Sequence, residues 1–218
     1  MLGARISAVD VHDERALTRH PAGAADFVSR LEGRRFAAAS RRGKFLWLPL
    51  EGGADAMTAH LGMSGQMLLR VPDAAAERHE RIRLHIEHPT HGRLAVVFAD
   101  QRTFGSLAVD DLVPDGADAV PTQVLHIARD PLDAAFDDAA FIAAVRRRSS
   151  AIKRVLLDQT LVSGIGNIYA DESLWASRIH PETHGRALSA QAVRRLLGEV
   201  RLVLQKALAE GGTSFDAQ

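Results

Sequence analysis

Residues 152–181, IKRVLLDQTLVSGIGNIYADESLWASRIHP, constrain the fold of this chain more than any other stretch. Ile152, Val155, Leu156 and Leu157 recur at helical spacing before polar Asp158 and Gln159. Ser163-Gly164-Ile165-Gly166 breaks that pattern, which resumes with Ile168, Leu174 and Trp175. The run therefore predicts two helices joined by a tight glycine turn, with Asn167 opening the second. Two glycines around one residue permit backbone conformations that a side chain forbids, and they leave bare N–H groups at a helix start, where a phosphate is well received. Lys153 and Arg154 lie just upstream, and Arg146, Arg147 and Arg148 just before them. On the turn alone, an ordinary helical hairpin with a solvated basic face is the commoner reading.

Upstream the texture differs. Alternating or apolar short runs at 5–11, 35–39, 44–50, 57–61, 66–71, 82–86, 94–98 and 106–109, with glycine turns among them, predict a β-sandwich. Residues 13–17 read as a short loop or turn, 24–31 as a short helix, and Ser40-Arg41-Arg42-Gly43 as a basic turn. Residues 113–131 are rich in Asp, Pro and Gly and read as a linker; helices are expected over 137–148, 151–159, 167–177 and 189–210, the last capped by Ser189 and stopped by Gly211-Gly212. The expected organisation is α+β: a β-sandwich over 1–112, the linker, and a helical domain over 132–218.

The chain carries 27 basic and 27 acidic residues, so bulk charge does not announce a nucleic-acid partner. Distribution says more: Arg34, Arg35, Arg41, Arg42 and Lys44 form one basic cluster and 146–154 another, while Asp110, Asp111, Asp115, Asp118, Asp130, Asp133, Asp137 and Asp138 make the middle acidic. Such segregation permits a positive face on a neutral protein. There is no cysteine, which excludes disulfides and thiolate zinc sites. His85, His88 and His91 are spaced by three, but Pro89 and Gly92 interrupt any helix there, so no metal site is expected. No secretory signal or membrane-spanning run is seen, and a cytoplasmic monomer is expected.

The string GIGNIYADESLWASRIHP closely resembles the helix-two-turn-helix element of the formamidopyrimidine-DNA glycosylase family, bacterial enzymes that excise oxidised purines. RRGKFLWLPL at 41–50, HLGMSGQMLLR at 60–70 and DQRTFGSLAV at 100–109 resemble segments of the same family in the same order. The resemblance implies a base-excision repair DNA glycosylase and AP lyase acting on 8-oxoguanine and formamidopyrimidines, with damaged or abasic double-stranded DNA as its partner. It also implies roles for single residues. Met63, Arg102 and Phe104 would fill the gap when the damaged nucleotide swings out. Lys44 would hold phosphate beside the lesion and assist β-elimination, and His60, His79, Arg148, Lys153 and Asn167 would contact the DNA backbone. Glu172 would brace the motif. Met63 lies between two glycines, a poor place for core filling, and Arg102 and Phe104, two apart, project together from extended backbone.

The chain also departs from that family. Many members have Pro and Arg where Gln101 and Thr103 stand. The family's terminal Pro-Glu, whose amine attacks the sugar and whose carboxyl serves as acid, has no match here, because Met-Leu-Gly-Ala-Arg leads straight into the first strand. Gly211-Gly212-Thr213-Ser214-Phe215 resembles the start of the loop that closes on the damaged base, and the four-cysteine zinc ribbon has no counterpart. No cofactor and no metal are therefore expected, and excision by these residues alone is expected to fail. The alternatives are a non-catalytic damaged-DNA-binding module, an endonuclease VIII-type enzyme for oxidised pyrimidines, whose lesion-gap segments differ, and an RNA-binding scaffold sharing the helical element.

Overall fold

The computed structural model describes residues 1–209. They form two units, one ending at Leu125 and one beginning at His126. The first is a sandwich of two antiparallel sheets. One sheet has the order β1 (Arg5–Val11), β6 (Glu80–His88), β7 (Gly92–Ala99), β5 (Gln66–Arg70). The other has the order β2 (Ser40–Arg42), β3 (Phe45–Pro49), β4 (Asp55–His60), β8 (Ser106–Asp115), β9 (Asp118–Pro121). Helix α1 (Gly23–Leu31) buries Phe27 and Leu31 in the same core as Ile6, Phe36, Leu84, Phe98 and Leu107. Ile6 and Val9 are both buried although three apart, because a bulge between Ile6 and Ala8 resets the alternation.

Three expectations need correction. Residues 35–39 form only isolated bridges, Arg5 to Arg35 and Phe36 to Leu50, whereas the expected basic turn at Ser40–Arg42 is itself strand β2, paired with β3. The turn sits one step later, at Gly43 and Lys44. The stretch expected as a linker from 113 instead prolongs β8 to Asp115 and returns as β9, pairing Leu112 with Pro121 and Val113 with Val120. Val120 and Val124 are fully buried there, so two well-placed apolar side chains outweigh the Asp, Pro and Gly around them. The sandwich thus reaches Leu125 rather than 112.

The second unit packs α2 (Asp138–Arg147), α3 (Ile152–Leu157), α4 (Asn167–Ala176) and α5 (Ala190–Ala209). Asp137 caps α2 by accepting from Ala140 N at 2.9 Å, and Ser189 caps α5 by accepting from Ala192 N at 3.1 Å. Val193, Leu196, Leu197, Val200 and Leu204 place one face of α5 against Phe141, Ile152, Ile165 and Leu174. The expected stop at Gly211-Gly212, and the lesion-closing loop after it, lie outside the described residues.

Candidate nucleic-acid interface

Sheet register builds the first part of the site. His60, the last residue of β4, pairs with Ser106 of β8 in one sheet, and Gln66 of β5 pairs with Ala99 of β7 in the other. The segments 61–65 and 100–105 therefore cross between the sheets at the same end and lie side by side. Their backbones are in close approach: a Cβ on Gly62 would stand 2.6 Å from Gly105 N, and one on Gly105 would stand 2.7 Å from His60 O. Only glycine fits either position.

Asp100 ties the two segments together. It is 1% exposed, and its carboxylate accepts from Ser64 Oγ at 2.6 Å, Gly105 N at 2.8 Å and Arg102 N at 3.2 Å. Burial pushes this carboxyl up, but the donors from Ser64, Gly105, Arg102 and Phe104 outweigh burial and hold it below the usual carboxylate range. The result is a fixed base from which apolar side chains project: Met63 is 73% and Phe104 61% exposed. The Arg102 guanidinium joins them, with Nη1 at 3.6 Å from Met63 Sδ. The three residues expected to fill a gap in DNA are thus neighbours, on a support that the DQRTFG string did not advertise.

Lys44 is exposed at the β2–β3 turn. His60 stands opposite Phe45 in the register, the two rings 4.8 Å apart, and its Nδ1 accepts from Gly62 N at 3.2 Å. Burial, then the charges of Arg19 and Lys44, lower its proton affinity below that of a free imidazole. His79 adopts φ 64, and its carbonyl accepts from Asp100 N at 3.0 Å, placing it beside the 100–105 segment.

In the helical unit, Gly164 takes φ +85 and makes the turn, whereas Gly166 is extended at φ −108 and caps α4 without a side chain. Asn167 begins α4 and is exposed. The turn is braced by Gln159, whose Oε1 accepts from Gly164 N at 3.1 Å and whose Nε2 donates to Ile165 O at 3.0 Å and Leu157 O at 3.2 Å. Glu172, expected to brace it, is exposed and makes no such contact. The two cations here are paired: Lys153 Nζ lies 2.7 Å from Asp171, and Arg148 Nη2 lies 3.2 Å from Asp158.

Among the described residues no group of three or more His, Asp or Glu is arranged to hold a metal, and no helix is long and apolar enough to cross a membrane. His85 is instead engaged with Asp10 at 2.7 Å, leaving His88 and His91 stacked at 4.5 Å.

Comparison with known proteins agrees with this architecture. The formamidopyrimidine-DNA glycosylase N-terminal domain matches residues 1–107, and the formamidopyrimidine-DNA glycosylase H2TH domain matches residues 127–218. The formamidopyrimidine-DNA glycosylase of Leifsonia xyli is 60% identical, over 99% of this chain and 76% of its own length, and that of Nocardioides is 55% identical, over 100% and 72%. Among solved structures, the complex of Lactococcus lactis Fpg with abasic-site DNA has a TM-score of 0.83 at 28% identity, covering all of this chain and 76% of that one. The complex of the same organism's enzyme with Fapy-dG DNA gives 0.82 at 29%, covering 98% and 76%. On the strength of both domains, the chain belongs to the formamidopyrimidine-DNA glycosylase family.

Proposed function

We propose that this chain recognises oxidised-purine and abasic sites in double-stranded DNA by filling the gap left when the damaged nucleotide leaves the stack. Met63 and Phe104 are the wedge, and their contacts offset part of an unstacking cost of about a few kcal/mol. Arg102, with its fork of donors, satisfies the base left without a partner. Lys44 holds the phosphate beside the lesion and supports β-elimination once the base is gone. His60 and His79 in the sandwich, and Arg148, Lys153 and Asn167 in the helical unit, grip the backbone and set register rather than read sequence. What supports this reading is the Asp100 carboxylate binding both loops, with Met63 and Phe104 exposed on them and Arg102 in contact with Met63.

Excision of the damaged base and cleavage at the abasic site are the activities of the family, and recognition and lesion extrusion are what the residues named above are proposed to contribute to them. Such a role belongs with bacterial DNA in the cytoplasm, performed by a monomer without a metal. The test is binding of the chain to duplexes carrying 8-oxoguanine, a tetrahydrofuran abasic analogue, or no damage. Preference for the abasic duplex by about tenfold or more is expected, since an already empty position removes the unpairing cost. Equal binding to all three would refute the reading.

A further inference from the structure

Arg19 lies far from every motif in the chain, in the segment after the 3-10 turn Glu14–Leu17. Its backbone is held from several directions. The carbonyl accepts from Gln123 Nε2 at 3.1 Å, and Gln123 N is itself held by the Asp110 carboxylate at 2.8 Å. The next residue, His20, is 4% exposed, accepts from Val109 N at 3.3 Å, and meets Phe27 edge-on at 5.5 Å. The Arg19 side chain, by contrast, is exposed. Its guanidinium lies 5.2 Å from the centre of the Phe45 ring, the same ring that stands 4.8 Å from His60. A guanidinium over an aromatic face has its donor edges free to point outward.

Arg19 and His60 thus flank one aromatic side chain, and Lys44, the residue before it, is close enough for its charge to act on His60. No carboxylate among the described residues pairs with Arg19 or Lys44, although most arginines of this sandwich are so paired, as in Arg30 with Asp111, Arg34 with Asp55, Arg42 with Asp115 and Arg81 with Asp13. Cations left without a carboxylate, on fixed backbone and beside the Met63 loop, suit an external anion. We propose that Arg19 is a phosphate-gripping positioning residue that completes a cradle with Lys44 and His60 for the DNA backbone next to the damaged nucleotide. This rests on the reading of Lys44 and His60 as backbone contacts. It adds a residue that none of the motifs contains, and it assigns Phe45 the task of aiming the guanidinium.

The test uses the full chain and a duplex carrying a tetrahydrofuran abasic analogue. Binding is measured over a range of salt concentrations for the native chain, Arg19→Gln, Arg19→Lys, Lys44→Gln and a control, Arg93→Gln, at the opposite end of β7 from the 100–105 segment. Arg19→Gln is expected to weaken binding about tenfold and to reduce the slope of log K against log salt by about one. Arg19→Lys should recover most of the slope but not all of the affinity, because an ammonium does not stack and fork as a guanidinium does. Arg93→Gln should change neither quantity. Because Arg19 is exposed, the melting temperature of Arg19→Gln should stay within about 2 °C of native. Replacing single backbone phosphates by neutral methylphosphonates then locates the contact: at one linkage near the lesion, Arg19→Gln should cost nothing further. An unchanged slope for Arg19→Gln beside a reduced slope for Lys44→Gln would overturn the proposal and leave the site reading intact. Unchanged slopes for both would remove both.

Discussion

On the proposed reading, the sandwich and the helical unit offer cations to DNA in opposite ways. In the sandwich, Arg19 and Lys44 stand without carboxylate partners among the described residues, and the loops beside them are fixed by a buried ion, Asp100, and by glycine backbones in contact. In the helical unit the turn is fixed by a neutral amide, Gln159, and its cations are occupied by Asp171 and Asp158. The difference teaches that rigidity and availability are separate properties. The sandwich loops are preorganised, so binding there costs little ordering. To take a phosphate, the helical unit would exchange an exposed internal ion pair for it, which would give a small net gain and a strong dependence on salt.

The largest expected effect breaks the sandwich side of this contrast. Gly105→Ala drives a methyl into His60 O, Leu61 O and the Phe98 ring, all under 3.0 Å from the new Cβ. It should destabilise the chain by about 3 kcal/mol in urea unfolding and abolish lesion preference.

Asp100→Asn is next, at about 2 kcal/mol at neutral pH, because an amide cannot accept from all the donors that the carboxylate serves. Native Asp100 has its folded pKa depressed, so its contribution is fully present above the ordinary carboxylate range and is lost as pH falls through the lower folded value. Asp13 behaves likewise: the Arg15 side chain outweighs burial and holds its carboxyl at about 2, so its contribution fades between about pH 4 and 2. The gap in stability between native and Asp100→Asn should therefore narrow as pH falls below about 4, as read by melting temperature against pH.

The smallest effect sharpens the helical side and runs the other way. Asp171→Asn frees Lys153, and affinity for undamaged duplex should rise about threefold, about 0.6 kcal/mol, with little change in stability because the pair is solvent-accessible. Titration at fixed salt checks it.

How much of this was legible in the sequence depended on range. Period and turn chemistry revealed α2 to α5 and most strands, because helix caps such as Ser189 and apolar spacing act within a few residues. Residues 113–121 misled because Asp, Pro and Gly signal a break, while the burial of Val120 that overrides them is a tertiary fact. Met63, Arg102 and Phe104 are named by resemblance alone, and register between two sheets is what brings their segments side by side. Asp100, Gln159 and Arg19 were not identified. Asp100 and Gln159 read as polar residues at the edges of motifs, and nothing local distinguishes a carboxylate that will be buried. Arg19 carries no signal at all, since Phe45 reaches it only through folding.

The most direct test of the contrast is the affinity of the chain for abasic-analogue duplex and for undamaged duplex, measured for native, Met63→Ala and Lys153→Ala. The account predicts that Met63→Ala lowers the abasic affinity while leaving undamaged binding nearly unchanged, whereas Lys153→Ala weakens both by the same small factor. Equal losses on both duplexes for Met63→Ala would contradict the assignment of the sandwich loops to lesion recognition.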